Sequence, residues 1–293
     1  MPVILAALEV AFPVFAIIAI GYVFARFRKI ELGSVVDLLL YITIPALVVS
    51  SLSKKPLHGE LLLTVALSAT AVVLVVGGIA FIYLYVTGKR EFRGFYLPTM
   101  FMNTGNMGLP LALLAFGQSG LTVAILYYVT VSILVYTIGI YIGRGRGGFS
   151  EILRLPLIYA TVAGIALNAG HVPIPVPILT ILDMLGAATI PLMQLSLGYR
   201  LYSVSLSRPM PALTSSLLRL GGGFLIALTI TRVFNINGVT GKVIILSSSM
   251  PSAVINFIIS QRYNINTEFV SSAVALSTIL SAITIPIILL WLM

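Results

Sequence analysis

The sequence predicts an all-α integral membrane protein of ten transmembrane helices, arranged as an inverted five-plus-five repeat. Three observations predict it. Of 293 residues, 59% are hydrophobic and 9% charged, against about 25% charged in a soluble domain, and mean hydropathy is +1.12. The apolar residues gather into ten runs, most of them near the ~20 residues that cross a ~30 Å hydrocarbon core as helix. The order of motifs in the first five runs recurs in the second five.

Run 1 (4–25) is as long as the others and is followed, not preceded, by its basic cluster Arg26, Arg28 and Lys29, so it reads as a span rather than a cleaved leader. Run 2 (33–53) opens with Asp37 and carries Thr43-Ile44-Pro45; run 3 (61–87) carries Gly77-Gly78. Run 4 (94–117) contains Asn103-Thr104-Gly105-Asn106-Met107-Gly108-Leu109-Pro110, and run 5 (121–142) contains Thr130 and Ser132. Run 6 (153–169) has Pro156 and Gly164 where run 1 has Pro13 and Gly21. Run 7 (177–201) repeats run 2: Asp183 is followed by Thr189-Ile190-Pro191 at the same spacing. Run 8 (210–233) has Gly221-Gly222-Gly223 where run 3 has its glycine pair, and it carries Arg219, expected to snorkel to the cytoplasmic interface. Run 9 (238–261) contains Ser247-Ser248-Ser249-Met250-Pro251-Ser252-Ala253 and Asn256; run 10 (267–292) contains Thr278 and Ser281 and ends at Trp291, which suits an interfacial belt. The halves are 1–146 and 147–293. Five is odd, so the second copy starts on the opposite side of the membrane, an inverted repeat typical of secondary transporters.

Charge sets the expected orientation. The loops after runs 1, 3, 5, 7 and 9 carry Arg26, Arg28, Lys29, Lys89, Arg90, Arg93, Arg144, Arg146, Arg154, Arg200, Arg208 and Arg262. The other side has Lys54, Lys55, Arg232 and Lys242. The positive-inside rule places the first set in the cytoplasm and both termini outside a multi-pass plasma-membrane protein. The net charge of +9 then reflects loops facing anionic lipid, not nucleic acid.

Runs 4 and 9 hold the chemistry. Proline removes a backbone donor and clashes with the preceding turn, and glycine adds freedom. Unpaired backbone in hydrocarbon costs several kcal/mol per group, so non-helical backbone is tolerated only inside protein or along a wet cavity. Two such breaks in corresponding spans point to a substrate site. Each break frees the N-terminus of a half-helix, with roughly half a positive charge, and neither segment contains an acid. Asn103, Asn106, Asn256 and Ser249 add donors around Gly108, Pro110 and Pro251. A carboxylate fits such a pocket. The competing reading is that both prolines kink packed helices and the amides act as interhelical glue.

The Asn103–Pro110 stretch, Met250-Pro251 followed by Tyr263-Asn264, and the Thr278…Pro286 segment resemble the auxin efflux carrier family. The resemblance covers essentially the whole chain. It implies that spans 4 and 9 cross at their breaks, as in bile-acid symporters and sodium/proton antiporters. It further implies a scaffold of spans 1, 2, 6 and 7, a mobile domain of spans 3–5 and 8–10, a carboxylate contact at Asn103, and a homodimer. The plant pattern has proline where this chain has Met102 and Asn256, and a long cytoplasmic loop where it has 143–155.

The remaining polar residues stay open between two readings. Thr130, Ser132, Thr278 and Ser281 either flank the crossing or back-bond to their own helices. Ser50 and Gln194 either line the cavity or tie helices together. Asp37 and Asp183 sit near helix N-termini, where the dipole favours an anion; proton coupling is their alternative role. The expected function is transport of a small organic carboxylate by alternating access, as an exporter or as a proton- or sodium-coupled symporter, with no cofactor. A channel or receptor is the competing class. An enzyme is excluded by its missing parts: there is no intramembrane base for a nucleophile, no His-Glu-x-x-His and no cysteine.

Overall fold

In lipid, a single segment satisfies its own backbone only as a helix, and the chain follows that rule. The structure is a computed structural model that describes every residue except Met1, Lys55, Pro56, Arg146, Gly147, Gly148 and Ser205. Lys55 and Arg146, counted above among the loop charges, lie outside the described residues. Among those described there is no strand, and one isolated antiparallel bridge pairs Met102 with Ser252.

The helices are α1 (Pro2–Phe27), α2 (Leu32–Ser53), α3 (Gly59–Val86), α4 (Tyr96–Met100), α5 (Thr104–Arg144), α6 (Phe149–Ile152), α7 (Pro156–Ala169), α8 (Val176–Tyr202), α9 (Pro209–Val233), α10 (Gly238–Ser248), α11 (Val254–Arg262) and α12 (Thr267–Leu292). Among the described residues, seven stretches are long and apolar enough to cross a membrane, within α1, α2, α3, α5, α8, α9 and α12. Expected span 6 is the 14-residue α7. Expected span 9 is two short helices, α10 and α11, separated by a break.

Expected spans 4 and 5 meet within α5. Its 41 residues would extend ~62 Å as one rod, twice a hydrocarbon core. Gly117 prevents that, with φ 64° and ψ −157°, a conformation that favours glycine. The turn is tight: a Cβ on Gly120 would lie 2.5 Å from the Ala112 carbonyl oxygen. Single wide π-helical turns occur at Leu39–Thr43 in α2, at Thr104–Gly108 and Val135–Gly139 in α5, and at Leu218–Gly222 in α9.

Two sets of contacts dominate the packing. In one, α1 runs along α8, and the second half of α2 packs on α7 and α8. A Cβ at Gly21 would overlap the Leu195 carbonyl, and one at Gly198 the Ile18 carbonyl, so bare backbones meet between α1 and α8. In the other, α5 packs on α3 and α10, while α9 packs on α3, α10 and α12. The glycine motifs of α3 and α9 serve this packing only in part. Gly77 abuts Met100, and Gly223 abuts Arg219 and Ser248, but Gly78 and Gly221 face open space. Large apolar side chains such as Phe12, Leu67, Ile82, Val162 and Ile283 point outward, as a lipid-facing surface requires.

Candidate functional site

The two breaks satisfy one another. After α4 the chain extends through Phe101 (φ −105°, ψ 117°) to Asn103 (φ −82°, ψ 65°). After α10 it leaves the helix at Ser249 and re-enters after Ala253 (φ −72°, ψ 142°). Asn103 N–H donates to the Pro251 carbonyl at 2.7 Å, and Ala253 N–H donates to the Phe101 carbonyl at 3.0 Å. Proline at 251 has no donor to lose, and its carbonyl is used. The Asn256 amide adds a tie, donating to Phe101 O at 2.9 Å and to Ser252 Oγ at 3.0 Å.

This pairing strips three carbonyls of their helical partners. Thr99 O would receive Asn103 N–H, but that donor goes to Pro251. Met100 O would receive Thr104 N–H, which turns to Met102 O. Ser248 O would receive Ser252 N–H, which donates to Ser277 Oγ. All three are taken by Arg219: its Nη1 donates to Thr99 O at 3.1 Å and Met100 O at 2.7 Å, and its Nη2 to Ser248 O at 2.8 Å. Arg219 is fully buried, which corrects the expectation that it snorkels to the interface. Its depth explains why. It lies about ten residues, or ~15 Å of helix, past the start of α9, half the thickness of a hydrocarbon core.

On the other side of the breaks lies a cavity of about 310 Å³. Asn103, Thr104, Gly105 and Asn106 form one wall, and Ala253, Val254 and Ile255 at the start of α11 form another. Tyr128, Ser132 and Tyr136 reach it from α5; Met193, Ser196 and Arg200 reach it from α8. Much of the rest is apolar, including Leu39, Leu40, Ile44, Leu157 and Leu197. Gly105 keeps the wall thin, since a Cβ there would stand 2.8 Å from the Met193 methyl and 3.0 Å from the Tyr128 ring. No acidic side chain lines the cavity, and Arg200 is its one cation among the described residues.

Asn103 lines this space at the break itself. It is 4% exposed. Its Oδ1 accepts the Asn106 N–H at 3.2 Å, capping the helix that begins at Thr104. Its Nδ2 is buried with no hydrogen-bond partner. A buried amide donor left empty costs about 1–3 kcal/mol, so the position calls for an acceptor. The N-terminus of α11 faces the same space without a side-chain cap.

Of the expected site residues, the structure brings Asn103, Asn106 and Ser132 to the cavity. Gly108 and Pro110 lie behind Asn103, where Pro110 begins the regular part of α5. Ser249, Thr130 and Thr278 bond back to their own helices through Ile245, Leu126 and Val274, and Ser281 to Thr278. Pro251 and Asn256 hold the breaks together and do not line the cavity. Gln194 is buried beside it, facing elsewhere, with Oε1 unpartnered. Ser50 donates to Asp183, which also pairs with Lys54 at 2.5 Å; Asp37 is exposed. Neither aspartate lines the cavity. Sequence reasoning missed Tyr128, Tyr136, Met193, Ser196 and Arg200. Helical spacing carried the signal: Met193, Ser196, Leu197 and Arg200 stand at i, i+3, i+4 and i+7, one face of α8.

A family model described as "Membrane transport protein" matches residues 6–154 and 149–289. An uncharacterized transporter of Methanocaldococcus jannaschii is 27% identical, covering 95% of this chain and 96% of its own length. Another, of Methanothermobacter thermautotrophicus, is 26% identical over 95% and 96% of the two chains. A Rhizobium meliloti protein named "Putative malonate transporter" is 24% identical over 93% of this chain and 92% of its own.

Proposed function

The chain belongs to the membrane transport protein family, a family of transporters and not of enzymes, and we propose that it carries a small organic carboxylate by alternating access. The carboxylate sits at the paired breaks. Asn103 Nδ2 donates to it, the uncapped start of α11 lends its N–H groups and partial positive charge, and Arg200 draws the anion in from the rim. The observation that carries this reading is the buried, unpartnered Nδ2 of Asn103 in a cavity without acids. The relative whose name includes malonate agrees in cargo chemistry.

The proposed architecture is ten passes in an inverted repeat with halves 1–146 and 147–293. The turn at Gly117 supports two passes within α5, and the bonded breaks support a crossing of spans 4 and 9. The contacts of α1, α2, α7 and α8 suit a scaffold, and those of α3, α5, α9, α10 and α12 a moving bundle. The cavity reaches Leu32, Leu155 and Arg200, beside the basic loops, which supports reading it as an inward-facing state of the carrier.

An inside-negative potential drives an anion outward by about 2.3 kcal/mol per charge per 100 mV. Proteoliposomes test this directly. With a potassium diffusion potential imposed by valinomycin, labelled malonate and a panel of mono- and dicarboxylates are expected to move toward the positive side. The reading fails if no carboxylate in the panel moves, or if conductance far exceeds carrier turnover, which marks a channel.

A further inference from the structure

Resting on the transport reading above, we propose that Arg219 is a tethered counter-cation. It occupies the oxygen cage at the breaks in which a transported monovalent cation would otherwise sit, so carboxylate movement is independent of sodium. Broken helices in carriers offer unwound carbonyls and half-helix C-termini as ligands for a coupling ion. Here that set consists of Thr99 O, Met100 O and Ser248 O, each stripped of its helical donor and each accepting from the guanidinium.

The seat closes on the Nη1 and Nη2 ends of the guanidinium and leaves Nε without a partner. Gly223 lies one turn beyond Arg219, and a Cβ there would strike both Nη2 of Arg219 and the Ser248 carbonyl. Hydroxyls surround the cage: Tyr127 OH pairs with Ser248 Oγ at 2.7 Å, and Thr99 Oγ1 with Ser215 Oγ at 2.8 Å. No carboxylate balances the guanidinium, because the ion pairs among the described residues are Lys54–Asp183 and Arg262–Glu151. The carbonyls therefore spend their negative ends on Arg219, and a second cation would meet like charge at contact distance. Arginine also does not give up its proton in proteins, so the seat cannot shuttle one.

The test uses the purified full chain and two variants. Thermal stability is compared in sodium chloride and choline chloride at equal ionic strength, and radiosodium flux is followed during carboxylate transport. Wild type is expected to melt at one temperature in both salts and to move no sodium with its cargo. R219S empties the cage and leaves its oxygens; its melting temperature is expected to fall and to recover by several degrees in sodium alone. R219K keeps the charge and is expected to be indifferent to sodium. The proposal is overturned by a wild type that sodium stabilises, by sodium moving with the cargo, by an R219S protein that melts like wild type and ignores sodium, or by an R219K protein that sodium stabilises. If R219S does not fold, wild type and R219K still decide. If no carboxylate moves, the transport reading falls, while the melting series still judges the seat.

Discussion

The cap that Asn103 makes and the ligand contact proposed for it use different atoms, so they can be separated. Its Oδ1 caps the helix at Thr104, and its Nδ2 is buried without a hydrogen-bond partner. Asn103→Ala removes both: the lost cap costs about 1 kcal/mol of stability, and the lost bond to a charged ligand about 1.5–3 kcal/mol of binding, or roughly 10- to 100-fold in affinity. Asn103→Asp keeps an oxygen for the cap and replaces the donor with a negative charge. It is expected to melt near wild type while transport of a carboxylate falls below detection. Melting curves and uptake on the same preparations check both, and a fully active Asn103→Asp protein removes Asn103 from the site. Asn103 stood out in the sequence because an asparagine beside the Gly105 and Gly108 breaks of an apolar run is costly wherever it points. Arg219 was not legible, because its acceptors lie 29, 119 and 120 residues away in sequence, and only the folded breaks show that they are orphaned.

At the scale of elements, composition alone located each expected run within about three residues of a helix, an interrupted pair of helices or an arm of α5. Span 6 differs in length, since α7 has 14 residues, fewer than the ~20 that cross a hydrocarbon core. The details that failed depend on neighbours. A glycine pair looks like a packing motif in any apolar helix, yet only one of Gly77 and Gly78 meets a partner. The same distinction yields a prediction between α1 and α8. Gly198→Ala places a methyl against the Ile18 carbonyl, and because this obstacle is backbone, the helices must separate. Such overpacking costs about 1–3 kcal/mol, so the melting temperature is expected to drop. Gly78→Ala faces open space and improves helix propensity by up to about 1 kcal/mol, so it is expected to hold or raise the melting temperature. Equal effects of the two substitutions on melting would mean that α1 and α8 do not pack backbone to backbone.

For the whole molecule, charge and shape must agree on one direction. In the proposed orientation the positive-inside rule puts the basic loops on the cytoplasmic face, and the cavity is lined by Leu32, Leu155 and Arg200 next to those loops. The opposite ends of α2, α7 and α8, around Ser53, Ala169 and Val176, contribute nothing to its lining. An anion leaving the cell would therefore enter the cavity past Arg200 and meet Asn103 before any outward opening. The chain contains no cysteine, so a single introduced thiol reports its own side without a background to remove. Glu60 and Lys89 are exposed at opposite ends of α3, just inside and just past it, and neither forms an ion pair among the described residues. In intact cells, a membrane-impermeant maleimide is expected to label Glu60→Cys, and to label Lys89→Cys only after permeabilisation. The reverse pattern would place the cavity mouth outside, turn the bound state into an importer's loading state, and require a driving force other than the membrane potential to bring the anion in.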